Sequence, residues 1–281
     1  MHSMLNSNYF IKSTFKNGRR ISNFIIRSVN YILSTNYREL SRIRQLPRYI
    51  PFETYLLGNS LKGVDSASFI FSYDEIFKNE IYKFISKSDC PIIVDCGSNI
   101  GLSLIYFKQL YPNSSIIAFE PDPKIFQAMT SNIKSFGLNN ITPYNCCVWN
   151  EEAILKFSSE GADGGRITSL TSNHKSDYEV KAVRLRDFLK QKIDFLKIDI
   201  EGAETIVLKD CTDLLKNVDH LLVEYHSFQN QKQSIHELLS ILHYADFRIY
   251  ASNPDYSYQP FIARGNNLGM DFQINIFAYK I

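Results

Sequence analysis

"PIIVDCGSNIGLSLIYF" (residues 91–107) opens on a continuous apolar run, "PIIVD" (91–95), that ends on the acid of Asp95-x-Gly97-x-x-x-Gly101. Such a run suits a strand covered on both faces of a parallel sheet, and residues 101–111 read as the helix that follows. The turn between them decides which ligand the fold serves. A dinucleotide-binding turn carries G-x-G-x-x-G after its first strand, and a phosphate-binding loop carries G-x-x-x-x-G-K-[ST]. Neither is present. The acid stands ahead of the first glycine, and Gly101 is followed by Leu102 and Ser103 instead of a lysine.

An acid at this point suits a ligand that is cationic where it meets the loop. S-adenosyl-L-methionine, with its protonated amine and its sulfonium, is such a ligand. Asp95 is read as attracting that charge, directly or through water. Gly97 lets the chain pass close to the ligand, and Gly101 lets the helix start pack against the strand. Ser98 and Asn99 complete the turn, and N–H groups near the helix start suit the ligand's carboxylate. A charge-assisted hydrogen bond contributes about 1.5–3 kcal/mol, so two or three of them fix an orientation. The plainer alternative leaves both glycines serving only a tight strand–helix turn.

Working outward, "SIIAFE" (115–120) is a second strand that ends on Glu120, followed by Pro121 and Asp122. An acid at that position can accept both ribose hydroxyls. The same geometry serves NAD, so Glu120 supports an adenosine ligand while Asp95 selects the cofactor. Pro123 opens a helix that ends near Gly137. "ITPYNCCVW" (141–149) reads as a third strand, with the adenine expected against its end near Cys147 and Val148. "AILKFSS" (153–159) and "YEVKAVRL" (178–185) bracket a glycine-rich insertion. "DFLKIDI" (194–200) and "HLLVEYH" (220–226) are the fourth and fifth core strands, and a helix follows at 231–244. "FRIYAS" (247–252) and "FQINIFAYKI" (272–281) have no helix between them and are expected as an antiparallel edge pair. Strands alternating with helices predict a doubly wound, mostly parallel α/β sheet. Ahead of it, residues 20–46 and 73–87 carry apolar residues at helical spacing, and "LPRYIP" (46–51) punctuates the chain. The domain reading is a helical, basic appendage over 1–70 and the sheet domain over 71–281, with an insertion at about 155–178.

"IIVDCGSNIG" (92–101), "AFEPDP" (118–123), "FLKIDIEGAE" (195–204) and "LLVEYH" (221–226), in that order, resemble the FkbM-type branch of the class I S-adenosylmethionine-dependent methyltransferases. The resemblance covers about residues 75–226. It implies a seven-stranded, Rossmann-like sheet and methyl transfer, commonly to oxygen on sugars or natural products. Residues 1–70 and 155–178 lie outside it, so the identity of the acceptor does not carry over.

Open α/β sheets bind ligands at the carboxyl ends of their strands. Lys197 and Asp199 share one strand face by the period of two, and Asp199 ends its strand beside the expected methyl group. Glu201 follows in the loop, where it reaches the acceptor. Glu224 and His226 share a face of the fifth strand. Lys197, Asp199 and His226 are therefore the catalytic candidates, with two readings open. Asp199, Glu224 and His226 hold a divalent metal ion that lowers the acceptor hydroxyl's pKa, or His226 is the base and the carboxylates orient it. In "SSEGADGGRITSL" (158–170) Arg166 suits a phosphate or carboxylate bidentately, and His174 beyond it is a further candidate for substrate contact.

Hydrophobic residues make up 44% of the 281 and charged ones 21%, which is ordinary for a soluble globular chain. No run approaches the roughly 20 apolar residues of a membrane span, and no secretory signal is read. Five cysteines without a C-x-x-C pair argue against a zinc ribbon or a disulfide framework and for a cytoplasmic setting. Residues 1–50 carry nine Lys/Arg against the one acid Glu39, a balance of +8, while the other 231 residues carry 22 against 28, a balance of −6. Such asymmetry suits a basic arm facing an anionic partner or a solvated helical face. The expectation is an O-methyltransferase acting on a sugar hydroxyl, of a sugar nucleotide or glycan precursor, in surface-polysaccharide or natural-product biosynthesis. The alternatives are a non-catalytic adenosyl-binding scaffold and an NAD-linked dehydrogenase. A nucleic-acid methyltransferase is expected to show an N/D-P-P-Y/F loop where this chain reads Asp199-Ile200-Glu201-Gly202, so no nucleic-acid partner is expected. Helical appendages often dimerise, but the basic one here would repel its own copy.

Overall fold

The computed structural model describes residues 35–162, 164–167, 177–253, 259, 261–262 and 269–281. The chain divides into two compact units, Met1–Leu46 and Pro47–Ile281. In the first, residues 35–44 form helix α1, where Arg42 pairs with Glu39 at 2.6 Å. The basic positions from Lys12 to Arg27, and most of the helix expected over 20–46, lie outside the described residues.

The second unit opens with a short antiparallel pair, β1 (Phe52–Thr54) and β2 (Leu61–Gly63). Helix α2 (Ser66–Tyr73) follows, capped by the Asp65 side chain, which accepts from the Ser68 N–H. A side-chain oxygen at this position satisfies one of the orphan donors of a helix start. The helix expected over 73–87 does not form. Instead α2 runs into one π turn, Asp74–Lys78, and the chain leaves helical geometry at Glu80, whose φ is +51°. The apolar residues beyond it are buried one at a time. Tyr82 stacks on Phe107 at 5.8 Å and Phe84 packs against Phe195 at 4.8 Å, while Ile85 is 85% exposed.

From residue 92 the alternation expected from sequence holds: β3 (Ile92–Cys96), α3 (Leu102–Leu110), β4 (Ser115–Phe119), α4 (Pro123–Ser135) and β5 (Ile141–Tyr144). Then come β6 (Cys147–Trp149), β7 (Ala153–Ser158), β8 (Arg166–Ile167), β9 (Asp177–Arg184) and β10 (Ile193–Ile198). The chain continues with α5 (Glu204–Asp210), β11 (Val218–Phe228), α6 (Ile235–Tyr244), β12 (Arg248–Ser252) and β13 (Met270–Tyr279). Seven strands form one sheet in the order β12-β13-β11-β10-β3-β4-β5. Its core strands are parallel, and β13 runs antiparallel to both β11 and β12. This is the doubly wound α/β sheet, and Val94, Leu196, Ile198 and Val223 of its central strands have no solvent exposure. A strand buried on both faces needs a continuous apolar run, which is why these segments stood out in the sequence.

The third strand expected over 141–149 is two strands in two sheets. The Asn145 amide donates to the carbonyls of Glu120 (2.9 Å) and Pro121 (3.1 Å) and turns the chain out of the main sheet. Beyond that turn, β6 joins a four-stranded sheet of order β6-β9-β7-β8. The two ends of the expected insertion and its Arg166–Ile167 step are strands of this second sheet, while residues 168–176 lie outside the described residues. Among the described residues no helix is long and apolar enough to cross a membrane.

Candidate active site

A cavity of about 630 Å³ opens at the carboxyl ends of β3, β4, β10 and β11, with residues of the β6–β9 sheet on one wall. That is within the range of small-molecule sites. The turn after β3 forms its floor. Gly97 has φ +88°, and a Cβ there would stand 1.9 Å from the Asp199 carbonyl oxygen. The close approach that requires a glycine is therefore that of the β10 end. Gly101, φ +86°, is the N-cap of α3. Between them the Asn99 N–H donates to Glu120 Oε2 at 3.0 Å, and the Asp122 N–H donates to Glu120 Oε1 at 2.9 Å. Glu120 so ties the turn after β3 to the turn after β4. Burial pushes its carboxyl up to about 8, against the pull of these two N–H groups. Asp122 accepts from the N–H groups of Lys124 and Ile125 and caps α4.

Asp95 is placed otherwise than the sequence suggested. It is fully buried and is not among the residues that line the cavity. Its Oδ2 accepts from the Ser103 hydroxyl at 2.5 Å, and its Oδ1 lies 3.6 Å from the Lys197 ammonium. The cause is sheet register: Lys197 on β10 stands directly beside Asp95 on β3. The charge meant for a ligand is met first by the protein's own cation.

Lys197 is the hub. Its ammonium donates to the Gly97 carbonyl at 2.9 Å and to Asp199 Oδ2 at 3.0 Å, and lies 6.0 Å from the centre of the Tyr82 ring. Burial works to lower the amine's pKa. The carboxylates of Asp199 and Asp95 outweigh it and hold the pKa well above its ordinary value.

A second array surrounds His226. Its Nδ1 lies 3.1 Å from Glu204 Oε1, and its Nε2 lies 3.7 Å from Glu224 Oε1 and 3.9 Å from Glu201 Oε2. Burial again works against the charged form, but Glu201, Glu204 and Glu224 hold the imidazole pKa well above its usual value. Glu204 is fixed in turn by the Gly202 N–H at 2.9 Å. Glu201 sits at φ +55°, and burial pushes its carboxyl up to about 8 while His226 pulls the other way. Gln273, from β13, donates to Glu224. Asp199, Glu224 and His226 each offer one ligand atom, and these atoms lie within 4.8 Å of one another.

Of the other residues singled out from sequence, Ser98, Asn99, Pro121, Cys147, Val148, Glu201 and Arg166 all line the cavity. The Arg166 guanidinium lies 4.6 Å from the centre of the Phe228 ring. Burial pushes the Cys147 thiol up to about 12, so it is a wall and not a nucleophile. His174 lies outside the described residues. Sequence reasoning missed Glu75, Tyr82 and Gln273, which line the cavity, and took Glu204 only as the end of the run 195–204. Glu204 did carry a signal, since it stands in the "KIDIEGAE" run. Gln273 carried none, being one polar residue in the last strand, β13.

Residues 95–249 match the Methyltransferase FkbM domain. Methyltransferase 1 of Beauveria bassiana is 28% identical over 212 residues, covering 66% of this chain and 84% of that one. The 2-O-methyltransferase NoeI of Sinorhizobium fredii is 26% identical over 167 residues, covering 52% and 67%. The hexuronic acid methyltransferase AglP of Haloferax volcanii is 26% identical over 155 residues, covering 53% and 61%.

Proposed function

The chain belongs to the FkbM methyltransferase family and is an S-adenosylmethionine-dependent methyltransferase; from that premise we propose that its acceptor is a sugar hydroxyl, carried on a sugar nucleotide or glycan precursor of surface-polysaccharide or natural-product assembly. The observation that carries this reading is the set of carboxylates at the ends of β10 and β11 within the cavity. An oxygen nucleophile must lose a proton, and a polyol needs acceptors for its hydroxyls. The names of two relatives support it: one is a 2-O-methyltransferase and one acts on a hexuronic acid.

The cavity's own chemistry fits the methyl donor. Acids outnumber bases along its lining, which suits a sulfonium and an ammonium and opposes a pyrophosphate. A carboxylate has about four acceptor sites, so Glu120, holding two N–H groups, keeps capacity for ribose hydroxyls. Cys147 and Val148 offer an apolar wall to the adenine. The turn from Gly97 through Ser98 and Asn99 to Gly101, with Pro121 and Asp122 opposite, would hold the remainder. When bound, the cofactor supplies an electrophilic methyl group. Asp95 acts from behind by holding Lys197, and Lys197 holds Asp199.

Asp199, Glu224 and His226 are read as an ion-pair array in preference to a metal centre. Lys197 already serves Asp199, Gln273 serves Glu224, and the imidazole already has Glu201, Glu204 and Glu224 around it. Addition of a chelator, with magnesium restored in a second arm, is expected to leave the methylation rate unchanged. A rate that falls with the chelator and returns with the ion would reinstate the metal.

Calorimetric titration with S-adenosylhomocysteine is expected to show binding, and titration with NAD none. Glu120→Gln is expected to weaken the former by about 10-fold, the loss of one or two hydrogen bonds to the ribose. Heat with NAD alone would overturn the cofactor assignment. Transfer of labelled methyl to glucose, glucuronic acid and their uridine-diphosphate forms tests the acceptor. Equal turnover of the free and nucleotide-linked sugars would count against the nucleotide.

A further inference from the structure

The π turn Asp74–Lys78 at the end of α2 places in the cavity an acid, Glu75, that belongs to none of the strand ends. Isolated π turns within helices are frequent at functional sites. This one is anchored by aromatic rings: Tyr73 stacks on Phe77 at 5.4 Å, and Phe77 meets Tyr106 of α3 edge-on at 5.7 Å. Ile76 is buried, and Glu75 lines the same cavity as Asp199 and Glu224.

The other carboxylates there are committed. Asp199 holds Lys197, Glu224 holds Gln273, Glu201 and Glu204 flank His226, and Glu120 holds two N–H groups. The Glu75 carboxylate makes no hydrogen bond or ion pair among the described residues; the residue's backbone carbonyl accepts from the Ile81 N–H at 3.2 Å. We infer that Glu75 is the base that takes the proton of the acceptor hydroxyl. The inference rests on the reading of the reaction as transfer to oxygen. In the step, the hydroxyl proton passes to the Glu75 carboxylate and the oxygen forms its bond to the methyl carbon. The carbon–sulfur pair returns to sulfur, leaving a methyl ether, neutral S-adenosylhomocysteine and a protonated Glu75 that discharges to water.

The surroundings poise the group for this. Burial, then the charges of Glu224 and Asp199, push its carboxyl up to about 7 from an ordinary 4.5, against the pull of Lys197. On its own turn Asp74 is paired with Lys78 at 2.5 Å. On α3 the Tyr106 hydroxyl is turned to Glu80 at 3.4 Å.

The test compares wild type with Glu75→Gln and Glu75→Asp, using whichever of glucose, glucuronic acid and their uridine-diphosphate forms the wild type methylates. Glu75→Gln is expected to lower kcat by about 10²–10⁴, the contribution of a general base, with S-adenosylhomocysteine binding unchanged. Its pH profile is expected to lose the acid limb near 7, and Glu75→Asp to recover part of the rate with the limb restored. A second readout needs no acceptor. The folded chain holds the Glu75 proton up to about pH 7 while the unfolded chain releases it near 4.5. Wild type therefore loses stability relative to Glu75→Gln as pH rises through that window. A difference in Tm that is flat from pH 4 to 8, or Glu75→Gln with wild-type kcat and an intact limb, overturns the inference. If wild type methylates none of the four sugars, the acceptor reading fails by itself and the Tm difference alone judges Glu75.

Discussion

Gly97→Ala is expected to lower the free energy of unfolding by about 2–5 kcal/mol and to abolish binding of S-adenosylhomocysteine. Two costs add. A left-handed conformation, here φ +88°, costs an alanine roughly 1–2 kcal/mol. The new methyl group would also stand 1.9 Å from the carbonyl oxygen of Asp199 and 3.0 Å from its carbonyl carbon. Backbone cannot rotate aside as a long side chain can, so β10 must shift from β3, and overpacking of this kind costs about 1–3 kcal/mol. The shift also pulls Lys197 from the Gly97 carbonyl. Gly137→Ala is the internal control. Its φ is +60°, and nothing lies within 4 Å of the added Cβ, so only the conformational cost remains. Urea unfolding and calorimetry on the pair decide the matter. A Gly97→Ala protein no less stable than the Gly137→Ala protein would mean that the two strand ends do not cross this closely.

Lys197→Met is expected to cost about 3–5 kcal/mol at neutral pH, the usual consequence of removing one partner from a buried charge pair. Lys197 is the cation shared by Asp95 and Asp199, and Asp95 has no exposure to water. In the variant, burial favours neutral Asp95, so its folded pKa rises above the roughly 3.9 of an unfolded aspartate. A raised folded pKa means that stability is retained at low pH and lost as pH rises through that value. The deficit against wild type is therefore small at about pH 4 and full at about pH 7.5. Adding Asp95→Asn should recover most of it, since the stranded charge goes with it. A deficit of equal size at both pH values, unrelieved by Asp95→Asn, would show that Lys197 matters for packing and not for charge.

Local composition revealed the sheet. The runs 91–94 and 221–223, and 195–198 apart from Lys197, are apolar because the strands are covered on both faces, and that is a property of each segment alone. What sequence concealed was decided between segments. The helix expected over 73–87 has the right spacing, but tertiary partners claim Tyr82 and Phe84 singly. The strand expected over 141–149 has the right composition, but Asn145 breaks it between two sheets. In the site, acids and a histidine at the ends of two strands were visible as candidates. Their pairing was not, because it follows from register. Asp95 beside Lys197, and Gln273 beside His226 across β11 and β13, are facts about neighbouring strands that no single stretch records. Glu75 was hidden because a π turn rotates a side chain out of the face that helical spacing assigns to it.

The position of β13 has a consequence for synthesis. β12 is translated before β13 yet has no other neighbour in the sheet, and β13 must enter between it and β11. A nascent chain that has emerged only to about residue 253 therefore carries an open β11 edge and an orphaned β12, the kind of edge that recruits a second chain. The gap closes, and Glu224 gains its amide partner, only when residues 270–279 leave the ribosome. The active site is in this sense completed by the same strand that covers the β11 edge.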